Sequence, residues 1–338
     1  MRLWHRAACT AVALSAVSLG LCAGPAAADS GEGRYTFAVI GDIPYGSAEI
    51  ADFPKVIDQI NADPDVRFVD HLGDIKDGSS VCDDAYFKMI KSDFDRFEDP
   101  LVYTVGDNEW TDCHRPNNGG YNPLERLATI RKVFFPHPGR TLGENSVPVT
   151  SQAAQGYPEN VGYRRAGVSF AALHIVGSNN DMAPWTGNTA PTPEQTAEAK
   201  GRTAAVVRLI HETFDAARRH HDKAVTLLTQ ADMFDPTVKD PAFADYSAFQ
   251  PIVKAIADES AAFRGPVYLL NGDSHVYNSD KPLDGGSKWL SFYGVGNPAP
   301  NLSRVTVDGS SNADNWLKVT VKPGSKQVLS WTRVPFTS

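Results

Sequence analysis

Short apolar runs alternate with amphipathic stretches along the first half of the chain. Three such runs, 35–40, 67–72 and 101–105, each stop at or shortly before a Gly-Asp pair. Between them, apolar positions are spaced as on one face of a helix, at about 49–61 and 83–97. The pairs stand at 41–42, 73–74 and 106–107, so they recur after 32 and 33 residues, about the length of one strand–helix–strand unit. The pattern predicts parallel strands with helices packed against them.

The second half continues the alternation and ends in strands alone. A further helix is predicted near 123–134, and the Gly- and Pro-rich stretch 136–163 predicts a long loop. Predicted strands follow at 169–176, 224–229 and 266–270, with helices at about 192–221 and 246–263. The tail predicts three strands, at 302–307, 317–321 and 328–334. No solenoid repeat, heptad array or low-complexity linker divides the chain, which predicts a single domain.

Residues 1–28 predict a secretory signal peptide, leaving a domain at 29–338. Two arginines precede the apolar stretch 7–21, and Ala26-Ala27-Ala28 offers a cleavage site. A lipid anchor on Cys22 is a weaker alternative, because Leu21 is a poor residue before a lipidated cysteine. Cleavage would remove two arginines and lower the formal net charge from −8 to −10. This acidity argues against binding nucleic acid or an anionic membrane by charge alone, and the leader is too short for a stable membrane span.

Cleavage would also leave only two of the four cysteines, Cys82 and Cys113. Both follow a strand end of the predicted sheet by a few residues, so they would lie on adjacent loops if those strands are neighbours. An exported protein meets an oxidising environment. We therefore predict a disulfide between them, against the alternative of two free buried thiols.

Aspartates follow four of the predicted strands. Residues just past the ends of parallel strands share one edge of a sheet, where ligands usually bind. Carboxylates gathered there repel one another unless a cation lies between them. One Gly-Asp pair after a strand is more simply a turn, but four such pairs favour a site for divalent metal ions. The expected members are Asp42, Asp74, Asp107, Asp273 and the nearby His275.

These blocks resemble the fingerprint of the calcineurin-like metallophosphoesterases. That family carries D-x-H, G-D-x-x-D, G-N-H-D/E, an isolated His and G-H-x-H, and the corresponding blocks here begin at Gly41, Gly73, Gly106 and Gly272. The resemblance spans about residues 35–300. It implies an α/β fold in which helices flank a sandwich of two mixed β-sheets, with an all-β C-terminal tail.

Several family positions hold other residues. Pro44 replaces the first histidine, and the neighbouring Tyr45 is a possible substitute through its phenolate. Asn108 stands at the catalytic histidine position, and Gln230 is the nearest stand-in for the isolated histidine. Asp107 and Asp273 take the positions of an asparagine and a histidine ligand.

By this resemblance, Asp42, Asp74 and His275 would hold one metal ion. Asp74 would bridge to a second ion held by Asp107, Asp273 and Gln230. The carboxylate-rich set favours Mn²⁺, Mg²⁺ or Ca²⁺ over iron or zinc. A metal-bound hydroxide would attack phosphorus.

Three further residues are expected to act on the substrate. The amide of Asn108 can hydrogen-bond a phosphoryl oxygen but cannot titrate. On the following loop, His114 is a candidate leaving-group acid and Arg115 a candidate phosphate clamp; a solvated loop pair is the equal alternative. The histidines His71 and His174 lie within strands and are expected to be structural.

The sequence thus predicts a secreted, metal-dependent hydrolase of small phosphate mono- or diesters. The alternative is a non-catalytic protein on the same fold that binds metal or phosphate. A serine hydrolase or a Walker-type nucleotidase is excluded, because neither G-x-S-x-G nor a phosphate-binding Gly-Lys-Ser/Thr motif is present.

Overall fold

Two mixed β-sheets lie face to face, with helices on both outer surfaces. The computed structural model describes residues 34–337, so the predicted signal peptide lies outside the described residues. The strands are β1 (Tyr35–Ile40), β2 (Val66–His71), β3 (Leu101–Tyr103), β4 (Thr150–Gln152), β5 (Tyr157–Arg165), β6 (Val168–Ala172), β7 (Ala224–Thr229), β8 (Val267–Asn271), β9 (Asn278–Asp280), β10 (Leu302–Thr306), β11 (Asn315–Val321) and β12 (Leu329–Pro335).

The five predicted amphipathic stretches form helices, and two short helices, at 177–181 and 288–293, were not predicted; residues 34–337 thus contain seven α-helices. They are α1 (Gly46–Asn61), α2 (Asp84–Phe94), α3 (Pro123–Phe134), α4 (Gly177–Asp181), α5 (Pro193–His220), α6 (Gln250–Ala262) and α7 (Lys288–Tyr293). Helix α5 begins at a capping box in which Thr192 and Gln195 satisfy each other's backbone N–H groups. The single turn α4 differs from the others, because its residues 178–180 have left-handed dihedral angles.

The first sheet has the order β12-β11-β1-β2-β3, and the second has the order β4-β5-β6-β7-β8-β10-β9. Strands β1, β2 and β3 are parallel, whereas β11 pairs antiparallel with β1. In the second sheet β6, β7, β8 and β10 are parallel, and β4, β5 and β9 add antiparallel edges. The predicted sandwich of mixed sheets with a β-rich tail is confirmed.

Three apolar clusters hold these layers together. One fills the space between the two sheets and includes Phe37, Phe170 and Leu270. A second packs α1, α2 and α3 on the outer face of the first sheet, and a third packs α5, α6 and α7 on the second. Apolar side chains therefore leave the sheets on both faces, as expected for strands buried on both sides.

The predicted loop at 136–163 is wrong in its second half, which contains β4 and most of β5. Strand β5 escaped notice because its sequence carries Pro158 and Gly162 and two polar residues, Glu159 and Asn160, that are buried. Their polar atoms are paired inside the fold: Glu159 with Arg131 and His174, and Asn160 with Gln152 and the His174 backbone. The alternation of apolar and polar residues that predicts a strand is therefore absent from β5.

Candidate metal centre

The four aspartates predicted from the strand ends come together where β1, β2, β3 and β8 end. Ligand atoms of Asp42, Asp74 and His275 all lie within 4.8 Å of one another, and so do those of Asp74, Asp107 and Asp273. The two groups share Asp74. The structure thus brings seven of the nine candidate site residues into direct neighbourhood, counting Gln230, which contacts both Asp74 and Asp107, and Asn108, which contacts Asp74.

Glycine makes this approach possible, and this explains why the aspartates follow glycines. A Cβ placed on Gly106 would lie 2.0 Å from Asp74 Oδ1, and one on Gly272 would lie 2.2 Å from Asp42 Oδ2. Each of these glycines therefore makes room for the carboxylate of another block. The backbone of Asp42, Asp74, Asp273 and His275 is itself left-handed, with φ between 53° and 75°. Such residues cost roughly 1 kcal/mol or more each and persist where surrounding contacts enforce them.

The carboxylates lie out of water with little compensating positive charge. Asp42 and Asp74 are fully buried and Asp107 nearly so. Burial raises the pKa of Asp42, Asp74 and Asp273, and the charge of Asp107 raises each further. Burial acts to lower the pKa of His275, but its hydrogen bond with Asp42, 3.4 Å away, and the charge of that carboxylate outweigh burial and raise it.

The donor set fits divalent cations. Carboxylate oxygens with one imidazole suit hard or borderline ions such as Mn²⁺ or Mg²⁺, and positive charge between these groups would offset their mutual repulsion. Binding would reverse the direction of the carboxyl pKa shifts, since a cation favours the ionised form. The arrangement is therefore chemically suited to a pair of ions that share one bridging aspartate.

The side chain of Gln230 is oriented as a donor rather than as a metal ligand. Its Nε2 lies 3.1 Å from both Asp74 Oδ2 and Asp107 Oδ1, while its Oε1 accepts a hydrogen bond from the Gly177 backbone N–H at 2.7 Å. An amide nitrogen that carries two protons has no lone pair for a metal. In this orientation Gln230 donates to the carboxylates, and its place in the ligand set stays a prediction.

Asn108 and Tyr45 also donate to Asp74. Asn108 Nδ2 lies 2.9 Å from Asp74 Oδ2 and 2.8 Å from Tyr45 Oη, and Tyr45 Oη lies 3.1 Å from the same carboxylate oxygen. Burial and the charge of Asp74 raise the pKa of Tyr45 well above that of a free phenol. Tyr45 is therefore a protonated donor in this arrangement, and its role as a metal-bound phenolate stays a prediction.

Arg115 and His114, the other two residues predicted to act on the substrate, make no described hydrogen bond with the four aspartates. Arg115 pairs with Asp112 at 2.7 Å and is 41% exposed, so its guanidinium is accessible at the rim. His114 is partly exposed, and its Nδ1 accepts from the Thr186 backbone N–H at 2.9 Å. Burial and the charge of Arg115 lower the pKa of His114. None of the described hydrogen bonds of His114 is with the four aspartates.

Sequence reasoning missed Ser178, which lies on the left-handed turn α4. Its Oγ donates within 2.9 Å of Asp107 Oδ2 and also lies 3.2 Å from Asp112 Oδ1. The neighbouring Asn179 and Asn180 hold the turn in place through Ala248 and Arg202. The sequence did offer one signal for Ser178, because the predicted strand 169–176 is followed by Gly177-Ser178.

The predicted disulfide is confirmed and lies beside the centre. Cys82 and Cys113 are bonded, with their Cα atoms 5.8 Å apart. Their sulfurs lie 3.6 and 3.8 Å from the backbone carbonyl oxygen of Asn108, which also accepts from Lys76 Nζ at 2.8 Å. The bond therefore joins two loops at the segment that presents Asn108.

Comparison with known families identifies part of the chain. Residues 35–166 match the family model described as calcineurin-like phosphoesterase. The resemblance to that family is thus confirmed over this segment. The matched segment supplies Asp42, Asp74, Asp107 and Asn108, while Asp273 and His275 lie beyond it. A comparison with curated proteins gives no match.

Two solved structures are similar to the described fold at low sequence identity. GAP50, the anchor in the inner membrane complex of Plasmodium, is 9% identical over 90% of each chain, with a TM-score of 0.44. The purple acid phosphatase PPD1 from yellow lupin (Lupinus luteus) seeds is 12% identical, with a TM-score of 0.40. The alignment covers 90% of this chain but 54% of the lupin chain, so this chain spans about half of that protein's length. No helix among residues 34–337 is long and apolar enough to cross a membrane.

Proposed function

We propose that this protein is a secreted phosphoesterase that depends on divalent metal ions. The observation that carries the proposal is the pair of ligand groups that share Asp74, three of whose members lie in the segment that matches the family model. Asp42, Asp74 and His275 would hold one ion, and Asp74, Asp107 and Asp273 the other. When bound, the ions supply Lewis acidity and neutralise negative charge at a phosphate ester.

The protein's own residues orient the reaction. Tyr45, Asn108 and Gln230 donate to Asp74 or to its neighbours and fix the rotamer of the bridging carboxylate. Arg115, at the rim, is positioned to pair with a phosphoryl oxygen. His114 keeps Nε2 as the nitrogen that can give a proton to a leaving group, since its Nδ1 is engaged by Thr186. The disulfide and the apolar leader at the N-terminus support export.

The second candidate is a non-catalytic protein that binds metal or phosphate at the same place. One observation favours it: Asn108 occupies the family's catalytic histidine position, and both amide hydrogens already have acceptors, in Tyr45 and Asp74. An amide cannot replace a titrating imidazole.

The deciding experiment combines metal content with ester hydrolysis. Bound metals are measured, and phosphomonoester and phosphodiester substrates are assayed with Mn²⁺, Mg²⁺, Ca²⁺ and Zn²⁺. Asp74→Asn should lower metal-dependent turnover by at least ~100-fold, because a ligand to both ions is weakened. Asp77→Asn is the matched control: Asp77 belongs to the same sequence block but is partly exposed and bonds only within its own turn and to Ser79. Metal binding without turnover of any ester would support the non-catalytic candidate.

A further inference from the structure

A cavity of about 550 Å³ opens directly beside the candidate metal centre. Its wall includes Asp273, which belongs to one ligand group, and Ser178, whose hydroxyl contacts Asp107 of the same group. The part of a substrate that extends from a phosphate at the centre therefore has an adjoining space in which to lie. A cavity of this size can accommodate a small organic group.

The charge of this cavity is one-sided. Five aspartates line it, and neither lysine nor arginine is among its lining residues. Asp232 is neutralised by Arg304, and Asp273 belongs to the metal centre. Asp235, Asp240 and Asp245 remain, and within residues 34–337 none of these three has an ion-pair partner.

These three charges exceed what the metal ions would balance. Two divalent cations supply four positive charges, which equals the charge of Asp42, Asp74, Asp107 and Asp273 when ionised. The cavity beside them stays negative after the centre is filled. Lys239, the cationic residue next in sequence to Asp240, does not line it.

Aromatic side chains in the wall of the cavity also favour a positively charged group. Tyr246 lines the cavity together with the apolar Met182, Pro184 and Phe249. Burial and the charges of Asp235 and its neighbours raise the pKa of Tyr246, consistent with acids gathered around its ring. The face of a neutral phenol attracts a cation within about 6 Å, and quaternary ammonium groups favour such surroundings.

We propose that this cavity receives the organic part of the phosphate ester and selects a substrate with an ammonium group there. The substrate class is a phosphate ester of an amino alcohol, with a primary or quaternary amine. This proposal rests on the proposed function, since it places the phosphate at the metal centre. A second phosphate or a carboxylate in the same position would be repelled by the aspartates.

The test uses three phosphate monoesters that differ mainly in charge. Choline phosphate is compared with its neutral isostere, 3,3-dimethylbutyl phosphate, and with the anionic 3-carboxypropyl phosphate. Dissociation constants are measured by calorimetry on the metal-loaded full chain, and hydrolysis is recorded separately. Choline phosphate should bind about 10-fold more tightly than the neutral ester, the sum expected of a few partly screened charge pairs.

Variants assign the preference to the cavity. Asp240→Asn/Asp245→Asn should remove most of the 10-fold preference and leave binding of the neutral ester unchanged. Asp258→Asn, which removes an exposed charge from α6 outside the cavity, should keep the full preference. Equal binding of all three esters by the parent protein overturns this proposal, whether or not any is hydrolysed. Absence of hydrolysis together with selective binding overturns the catalytic assignment alone.

Discussion

A buried carboxyl group between the two sheets makes the stability of this fold depend on pH. Asp70 lies on β2 and is 1% exposed, and both of its oxygens accept from Tyr163 Oη on β5, at 2.8 and 3.0 Å. Burial raises its pKa from 3.8 to about 8, against the smaller lowering effect of the Tyr163 hydrogen bond. At neutral pH the folded protein therefore holds a proton that the unfolded chain has lost.

The sign of the effect follows from this difference in bound protons. Between pH 3.8 and about 8 the unfolded state binds fewer protons at Asp70, so the free energy of unfolding falls as the pH rises. The slope is about 1.4 kcal/mol per pH unit, and the full cost reaches about 6 kcal/mol above pH 8. Asp70→Asn removes the titration, at a price of about 1–3 kcal/mol for a buried amide with an unsatisfied N–H.

The assay is guanidinium unfolding of the parent and of Asp70→Asn from pH 4 to pH 9. The variant should be the less stable protein at pH 4 and the more stable one at pH 9, so the two curves cross. Taking the difference cancels the titration of the metal-centre carboxylates, which both proteins share. Tyr163→Phe removes the donor to Asp70 and should extend the pH-dependent range upward. Parallel stability curves for the parent and Asp70→Asn would refute the reasoning.

Two further predictions concern the disulfide and the buried ion pairs of Glu159. Replacing Cys82 and Cys113 by serine opens a link between residues 31 apart and should lower the free energy of unfolding by about 3–4 kcal/mol, as measured by guanidinium unfolding; an unchanged midpoint contradicts this. Glu159→Gln should cost about 3 kcal/mol, because His174 and Arg131 lose their buried carboxylate. Burial acts to raise the pKa of Glu159, but His174 and Arg131 outweigh it and lower this pKa from 4.5 to about 2. The contribution of Glu159 to the free energy of unfolding is therefore present above pH 4.5 and is lost as the pH falls toward 2. A cost that persists at pH 2 would count against this assignment.

Sequence alone predicted the strands that carry the centre, because each has the apolar run and terminal glycine that a buried parallel strand requires. The order of the strands then brings Asp42, Asp74 and Asp107 to one edge without further information. The same reasoning could not find β5, whose buried polar residues are satisfied by partners on α3 and other strands.

The orientation of individual side chains was beyond the sequence. Gln230 directs its nitrogen toward the carboxylates because the N–H of Gly177, 53 residues earlier, holds its oxygen. Ser178 reaches Asp107 from a turn that winds in the left-handed sense, a conformation that Asn179, Asn180 and Asp181 tolerate better than most residues. Roles that depend on such long-range contacts can be assigned only from the three-dimensional structure. The positions of the candidate metal ligands depend mainly on strand order.

The position of β1 between β11 and β2 has a consequence for how the protein is made. Residues 35–40 emerge early in synthesis, but one of their two neighbours, β11, is made about 280 residues later. The backbone N–H of Ser310 also secures the Asp42 carbonyl, at 2.9 Å, from this late part of the chain. A nascent chain that has not yet released β11 therefore exposes an unpaired edge of β1, and such edges recruit other strands. Chaperones or export in an unfolded state would protect this edge until the last strands arrive.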